Sequence, residues 1–109
     1  MTIRYKNQGF KQADTNLNTV LTCPTDATLI VKSIYCSNND ASSAIQVNAS
    51  LVDTSASSTE YEFFRDDLAA KSQVNASPQG INLEAGDLIK IQAATGSNKI
   101  QGVISYALI

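Results

Sequence analysis

Residues 45–52 read IQVNASLV, and their alternation decides the fold class. Ile45, Val47, Ala49 and Leu51 take every second position, with Gln46, Asn48, Ser50 and Val52 between and after them. Successive side chains of a strand point to opposite faces, so this stretch has one dry face and one wet face. That is the signature of an antiparallel sheet packed on one side only.

The same short alternation, broken by turn residues, extends in both directions. Upstream, Thr28 to Cys36 (TLIVKSIYC) is richer in Leu, Ile, Val and Tyr and is expected to bury part of both faces. It runs into the loop SNNDASS, whose Asn38, Asn39 and Asp40 tolerate left-handed backbone. Thr19 to Cys23 reads as a further strand, stopped by Pro24, Thr25 and Asp26. Residues 1–17 (MTIRYKNQGFKQADTNL) are polar and weakly periodic, which predicts an extended arm carrying at most one edge strand, ahead of a single domain over residues 18–109.

Downstream, DTSASST forms a small polar loop and TEYEFFRD alternates again. The alternation sets Tyr61 and Phe63 on one face and Glu60, Glu62 and Phe64 on the other, so Phe64 is expected on the wet face among glutamates. DLAAKSQVNAS is the only segment where a helical turn fits, because Leu68, Ala69 and Ala70 are good helix formers before β-branched content returns at Val74. The last two strands are Leu88 to Ala94 and Ile100 to Leu108, joined by a loop with the Gly-Ser-Asn chemistry of a hairpin. Seven to eight short antiparallel strands with polar loops predict an all-β protein, a β-sandwich of jelly-roll or immunoglobulin-like type.

A chain of 109 residues holds one such domain. Its formal net charge of -2, with the basic residues scattered apart from Arg4, Lys6 and Lys11, speaks against a nucleic-acid partner. No stretch approaches the roughly 18 apolar residues of a membrane span, and MTIRYKNQGF lacks the apolar centre of a secretion signal, so the expectation is synthesis and retention in a cytoplasm, or exit by a route that needs no signal. Cys23 and Cys36 cannot complete a zinc site without histidine, of which there is none. If TVLTC and TLIVKSIYC pair as a hairpin turning at Pro24 to Ala27, the two cysteines stand roughly 27 Å apart, beyond the ~7 Å limit for a disulfide. Both are therefore read as reduced, core-facing thiols.

The absence of histidine removes the usual general base for a serine or cysteine nucleophile. The carboxylates Glu60, Glu62, Asp66 and Asp67 cluster in sequence, but alternation puts Glu60 and Glu62 on a solvated face where they blunt edge pairing. An oxygen cage for calcium from Asn38, Asn39 and Asp40 with Asp26 or Asp66 has no fixed spacing behind it. In LEAGDL, Gly86 supplies a positive φ and Asp87 bonds neighbouring backbone, with Glu84 and Asp87 both expected in solvent at the bend. No catalytic, metal or cofactor residue is assigned.

The sequence resembles small virion structural proteins of tailed bacteriophages, particularly those of cyanophages and other marine phages. The likeness is carried by RYKNQG, NTVLTCP, ATLIVKSIYCSN and INLEAGDLIKIQA, closed by a strand ending in SYALI, and it covers nearly the whole chain. TEYEFFRDDLAAKSQVNAS departs most from the pattern. The resemblance implies a non-enzymatic, cofactor-free component of the virion, made in the host cytoplasm and partnered by other virion proteins. A capsid decoration or cement role comes first among the readings, with a neck, tail or fibre-base component next. A host-facing carbohydrate-binding module is the alternative from a different class, to be told by exposed aromatics clustered on the loops at one end. Exposed sheet edges predict a homo-oligomer, and the local symmetry of capsids and fibres favours a trimer. Arg4, Tyr5, Lys6, Phe10 and Lys11 are the expected docking residues, on an arm that orders on its partner or else forms an edge strand of its own domain. Phe64 is the expected additional exposed contact.

Overall fold

The computed structural model describes residues 2–109. Nine strands form two antiparallel sheets: β1 (Arg4–Lys11), β2 (Asn18–Thr22), β3 (Leu29–Asn38), β4 (Ile45–Asp53), β5 (Thr59–Leu68), β6 (Gln73–Asn75), β7 (Ile81–Leu83), β8 (Leu88–Ala93) and β9 (Ile100–Leu108). One sheet has the order β1-β9-β3-β6, with β7 also paired to β3, and the other has the order β2-β8-β4-β5. They are called sheet A and sheet B below. The fold is a β-sandwich, as the alternation predicts, and the strands beyond the expected seven to eight are the three-residue β6 and β7, too short to leave a periodic signal. Among the described residues no helix is long and apolar enough to cross a membrane.

The core lies between the sheets. Sheet A contributes Leu29, Val31, Ile34, Cys36, Ile100 and Ile104, and sheet B contributes Ile45, Val47, Ala49, Ile89, Ile91 and Ala93, all buried. Each large aliphatic side chain buried this way stabilises the fold by about 1.5–3 kcal/mol. Two buried amides fasten one end of the sandwich, both beside Ile100. Gln12 donates from Nε2 to the Ile91 carbonyl of β8 while its backbone N–H reaches Ile100 of β9, so it spans the two sheets where the chain leaves β1. Asn38 donates to the carbonyls of Ser43 and Leu68 and accepts from the N–H of Asp40.

Three expectations are corrected. The segments around the two cysteines do not form a hairpin, because β2 lies in sheet B and β3 in sheet A. Both cysteines are nonetheless buried free thiols, and burial pushes Cys36 up to about 12. No helical turn forms after Leu68. The chain turns there with Lys71 at φ 61°, and among the described residues the one helical element is a 3-10 turn at Thr54–Ala56. Asp87 is buried rather than solvated: its carboxylate accepts from Glu84 N–H, Thr54 N–H and the Thr54 hydroxyl, while Glu84 is exposed as expected.

Candidate docking surface

Residues 4–11, read from the sequence as arm or edge strand, form β1, and every one of them is paired to β9. The strand alternates. Tyr5, Asn7, Gly9 and Lys11 point to the outer face of sheet A, while Phe10 turns inward and is buried in the core. Phe10 is therefore not available for docking. The physical reason is Gly102, its cross-strand partner on β9, which leaves a slot that the ring fills: a Cβ at Gly102 would come within 2.7 Å of Phe10 Cε1.

Phe64 is also corrected. The register of β5 on β4 jumps between Ala49–Phe64 and Ser50–Glu62, so Phe63 is an extra residue, a β-bulge. One extra residue inverts the alternation beyond it, and Phe64 pairs with core-facing Ala49 instead of standing among the glutamates. Phe63 and Phe64 are both half-buried against the core. Glu60 and Glu62, ahead of the bulge, point outward as expected, and Glu62 holds Arg65 in a two-pronged ion pair at 2.6 and 3.0 Å.

The outer face of sheet A is where the exposed apolar side chains gather. β3 was expected to bury part of both faces, yet its outward residues Ile30 and Tyr35 are open. The registers of β1, β9 and β3 set the outward residues in four rows across three strands: Lys11, Gln101, Ser37; then Gly9, Val103, Tyr35; then Asn7, Ser105, Ser33; then Tyr5, Ala107, Ile30. Two rows are apolar or aromatic, one is neutral polar, and the Lys11 row is polar with one cation. Lys32 is the extra residue of a second bulge, between Val31 and Ser33, and its ammonium lies 5.0 Å from the centre of the Tyr5 ring. Tyr5 and Tyr35 are 73% and 53% exposed, and Tyr5, Ile30, Tyr35 and Val103 make up four of the six large exposed hydrophobic residues among those described. No acidic side chain stands in these rows, whereas Lys11 stands in one and Lys32 lies over the Tyr5 ring.

The carboxylates considered for chemistry do not converge with a partner group. Asp40 accepts from the N–H groups of Ser42 and Ser43, which holds it below the usual carboxylate range and closes the 38–43 loop. Asp26 lines a surface hollow with Arg4 and Pro24, away from that loop. Asp53, Glu84 and Asp87 do approach one another. Asp53 there accepts from the N–H and hydroxyl of Ser55, and Asp87 accepts from Glu84 N–H in its own turn and from the N–H and hydroxyl of Thr54 in the turn after β4. Sequence reasoning missed Ile30, Lys32, Tyr35 and Val103 as a group. Ile30 and Tyr35 on β3 and Val103 on β9 stand opposite the core faces of their own strands, but they come together only through the pairing of β3 with β9, which spans the chain.

No protein-family model matches the sequence, and no curated protein matches it at a significant level. Similar solved structures include the capsid of Helicobacter pylori bacteriophage KHP30, with a TM-score of 0.62 and 14% identity over 99% of this chain and 87% of that one. Another is a Bacillus endospore appendage, a disulfide-linked pilus, with a TM-score of 0.53 and 10% identity over 98% and 86%. A third is the T13 particle of IBDV, with a TM-score of 0.55 and 9% identity over 97% of this chain but only 30% of that chain. At these identities what is shared is the fold.

Proposed function

We propose that this protein is a non-enzymatic structural component of a phage particle, a decoration or cement protein that lies on the capsid exterior and assembles with copies of itself. The observation that carries the reading is the outer face of sheet A. Its four rows are free of acids, and they set exposed Tyr5, Ile30, Tyr35 and Val103 among Asn7, Ser33, Ser37, Gln101 and Ser105. Such a mixture of aromatic anchors and neutral polar groups suits a broad contact with another protein. Tyr5 and Lys11 keep the docking role that the sequence assigned them.

The occurrence of the fold in a phage capsid and in another viral particle is consistent with this role. A sugar-binding module gains no support from the aromatics. Tyr5 and Tyr35 stand within strands of a sheet face, and Tyr61 stands on the edge strand β5 rather than in an end loop. The test is to incubate the purified protein with particles lacking it and to image where it binds. Density spread over the capsid surface supports decoration. Density confined to one vertex moves the protein to the neck or tail, and binding to glycans without binding to particles overturns the reading.

A further inference from the structure

We propose that copies of this chain join head to tail through two oppositely charged sheet edges, β1 of one copy meeting β5 of the next. The proposal deepens the self-assembly in the reading above and rests on it, but not on where the protein binds a particle.

Each sheet has an open edge of this kind. β1 pairs only with β9 and β5 only with β4, so each leaves a row of backbone N–H and C=O groups facing outward. The edges lie on opposite flanks. β1 runs alongside β2 at one flank, and sheet B ends at β5 on the other. β1 carries Arg4, Lys6 and Lys11 and no acid. β5 carries Glu60, Glu62, Asp66 and Asp67 against the single base Arg65, which is spent on Glu62. Asp26 stands near Arg4 at one end of β1, leaving Lys6 and Lys11 clear of it. Two β1 edges repel, as do two β5 edges. The one union of these edges that charge favours is β1 with β5.

The spacing fits as well. β5 runs in the same direction as β1, since β4 begins where β3 ends and each strand within a sheet is antiparallel to its neighbours. The two edges also stand level. Lys11 is opposite Gln101, beside the Ile100–Asn38 pair, and the Asn38 side chain binds the carbonyl of Leu68 at the end of β5. At the other end Glu60 is level with Val52, Leu88 and Thr22, next to the Pro24 turn that meets Arg4. Copies related by rotation about an axis along the strands therefore bring β1 and β5 together in parallel. In that alignment Arg4 stands opposite Glu60 and Lys6 opposite Glu62.

The faces agree too. Arg4 and Lys6 lie on the inner side of sheet A, and Glu60 and Glu62 on the outer side of sheet B, opposite Val52 and Ser50. When sheet A of one copy continues into sheet B of the next, those two sides become one face. Lys11 and Asp66 share the other face. A contact between two different edges closes into a ring or runs on as a row, according to the rotation at each step.

The test is the mass of the full chain by light scattering at low salt, for four proteins whose fold is checked by circular dichroism. Wild type is expected at a multiple of the chain mass. Arg4→Glu with Lys6→Glu, and separately Glu60→Lys with Glu62→Lys, are each expected to fall to monomer, since each makes its two edges alike in sign. The chain carrying all four substitutions exchanges the signs and is expected to recover the wild-type mass. A monomeric wild type, reversed chains that keep their mass, or a folded four-fold variant that stays monomeric each overturns the proposal. A monomeric wild type that still coats particles would overturn the edge contact alone, whereas an assembling protein that ignores particles would leave the edges standing and sink the decoration role.

Discussion

The carboxylate of Asp87 accepts both the backbone N–H and the hydroxyl of Thr54, each at 3.0 Å, from a residue 33 positions earlier in the chain. The same carboxylate receives the N–H of Glu84 at 2.9 Å, so one buried side chain ties the entry of β8 to the exit of β4. Asp87→Ala leaves these donors unpaired and is expected to cost about 2–4 kcal/mol, against roughly 1 kcal/mol for Asp87→Asn, which keeps an acceptor oxygen. Urea unfolding of the two variants checks this. Equal losses would mean that the carboxylate is no more than a space filler.

Gly102 is required by the ring of Phe10. A methyl group at this position meets Phe10 and the Tyr35 carbonyl inside contact distance, so Gly102→Ala is expected to destabilise by about 1–3 kcal/mol. Part of that loss comes from the ring, and Phe10→Leu combined with Gly102→Ala should therefore cost less than the sum of the two single changes. Additive losses in thermal or denaturant unfolding would show that the ring does not depend on the glycine.

How much of this could be read in advance follows the range of each interaction. The period-two alternation of β4 is local, and it puts Ile45 and Val47 on the dry face, where they are buried in the core. The β-bulges at Lys32 and Phe63 are not local. Each depends on a partner strand that slips by one residue, and that is why Phe64 was assigned to the wrong face. The separation of β2 and β3 into different sheets is set by pairing with β8 and β9, some 70 residues downstream. The basic stretch at residues 4–11 was visible as a charge pattern. That it forms an edge, level with the acidic β5, emerges only from the assembled sheets.

Cys36 makes the stability of this protein sensitive to alkaline pH. Burial disfavours its thiolate and raises the thiol from 9.0 to about 12. A group whose value is raised on folding contributes stability that is present below its unfolded value and lost as pH rises through its folded value. The loss thus falls between pH 9 and about 12, at up to about 1.4 kcal/mol per pH unit. The measurement is denaturant unfolding across that window for wild type and Cys36→Ala, with the shallower slope expected in the variant. Parallel slopes would rule the effect out. In the native protein neither Cys36 nor buried Cys23 should react with iodoacetamide at pH 8, and both should react once unfolded.

The proposed docking face gives the last prediction. Tyr35 and Val103 are cross-strand partners, and Tyr5 lies two rows away with Lys32 over its ring. None of these side chains fills the core, so replacing them tests contact with a partner separately from folding. Tyr35→Ser and Tyr5→Ser are each expected to leave the unfolding midpoint within about 0.5 kcal/mol of wild type. Each should weaken binding to particles lacking the protein about tenfold, or ~1.4 kcal/mol, as anchors at the centre of an interface do. Tyr61→Ser is the matched control, because Tyr61 is just as exposed but stands on β5, away from this face. Its binding should be unchanged. If Tyr61→Ser weakens binding while Tyr35→Ser does not, the particle is held through the β5 side and the outer face of sheet A faces solvent.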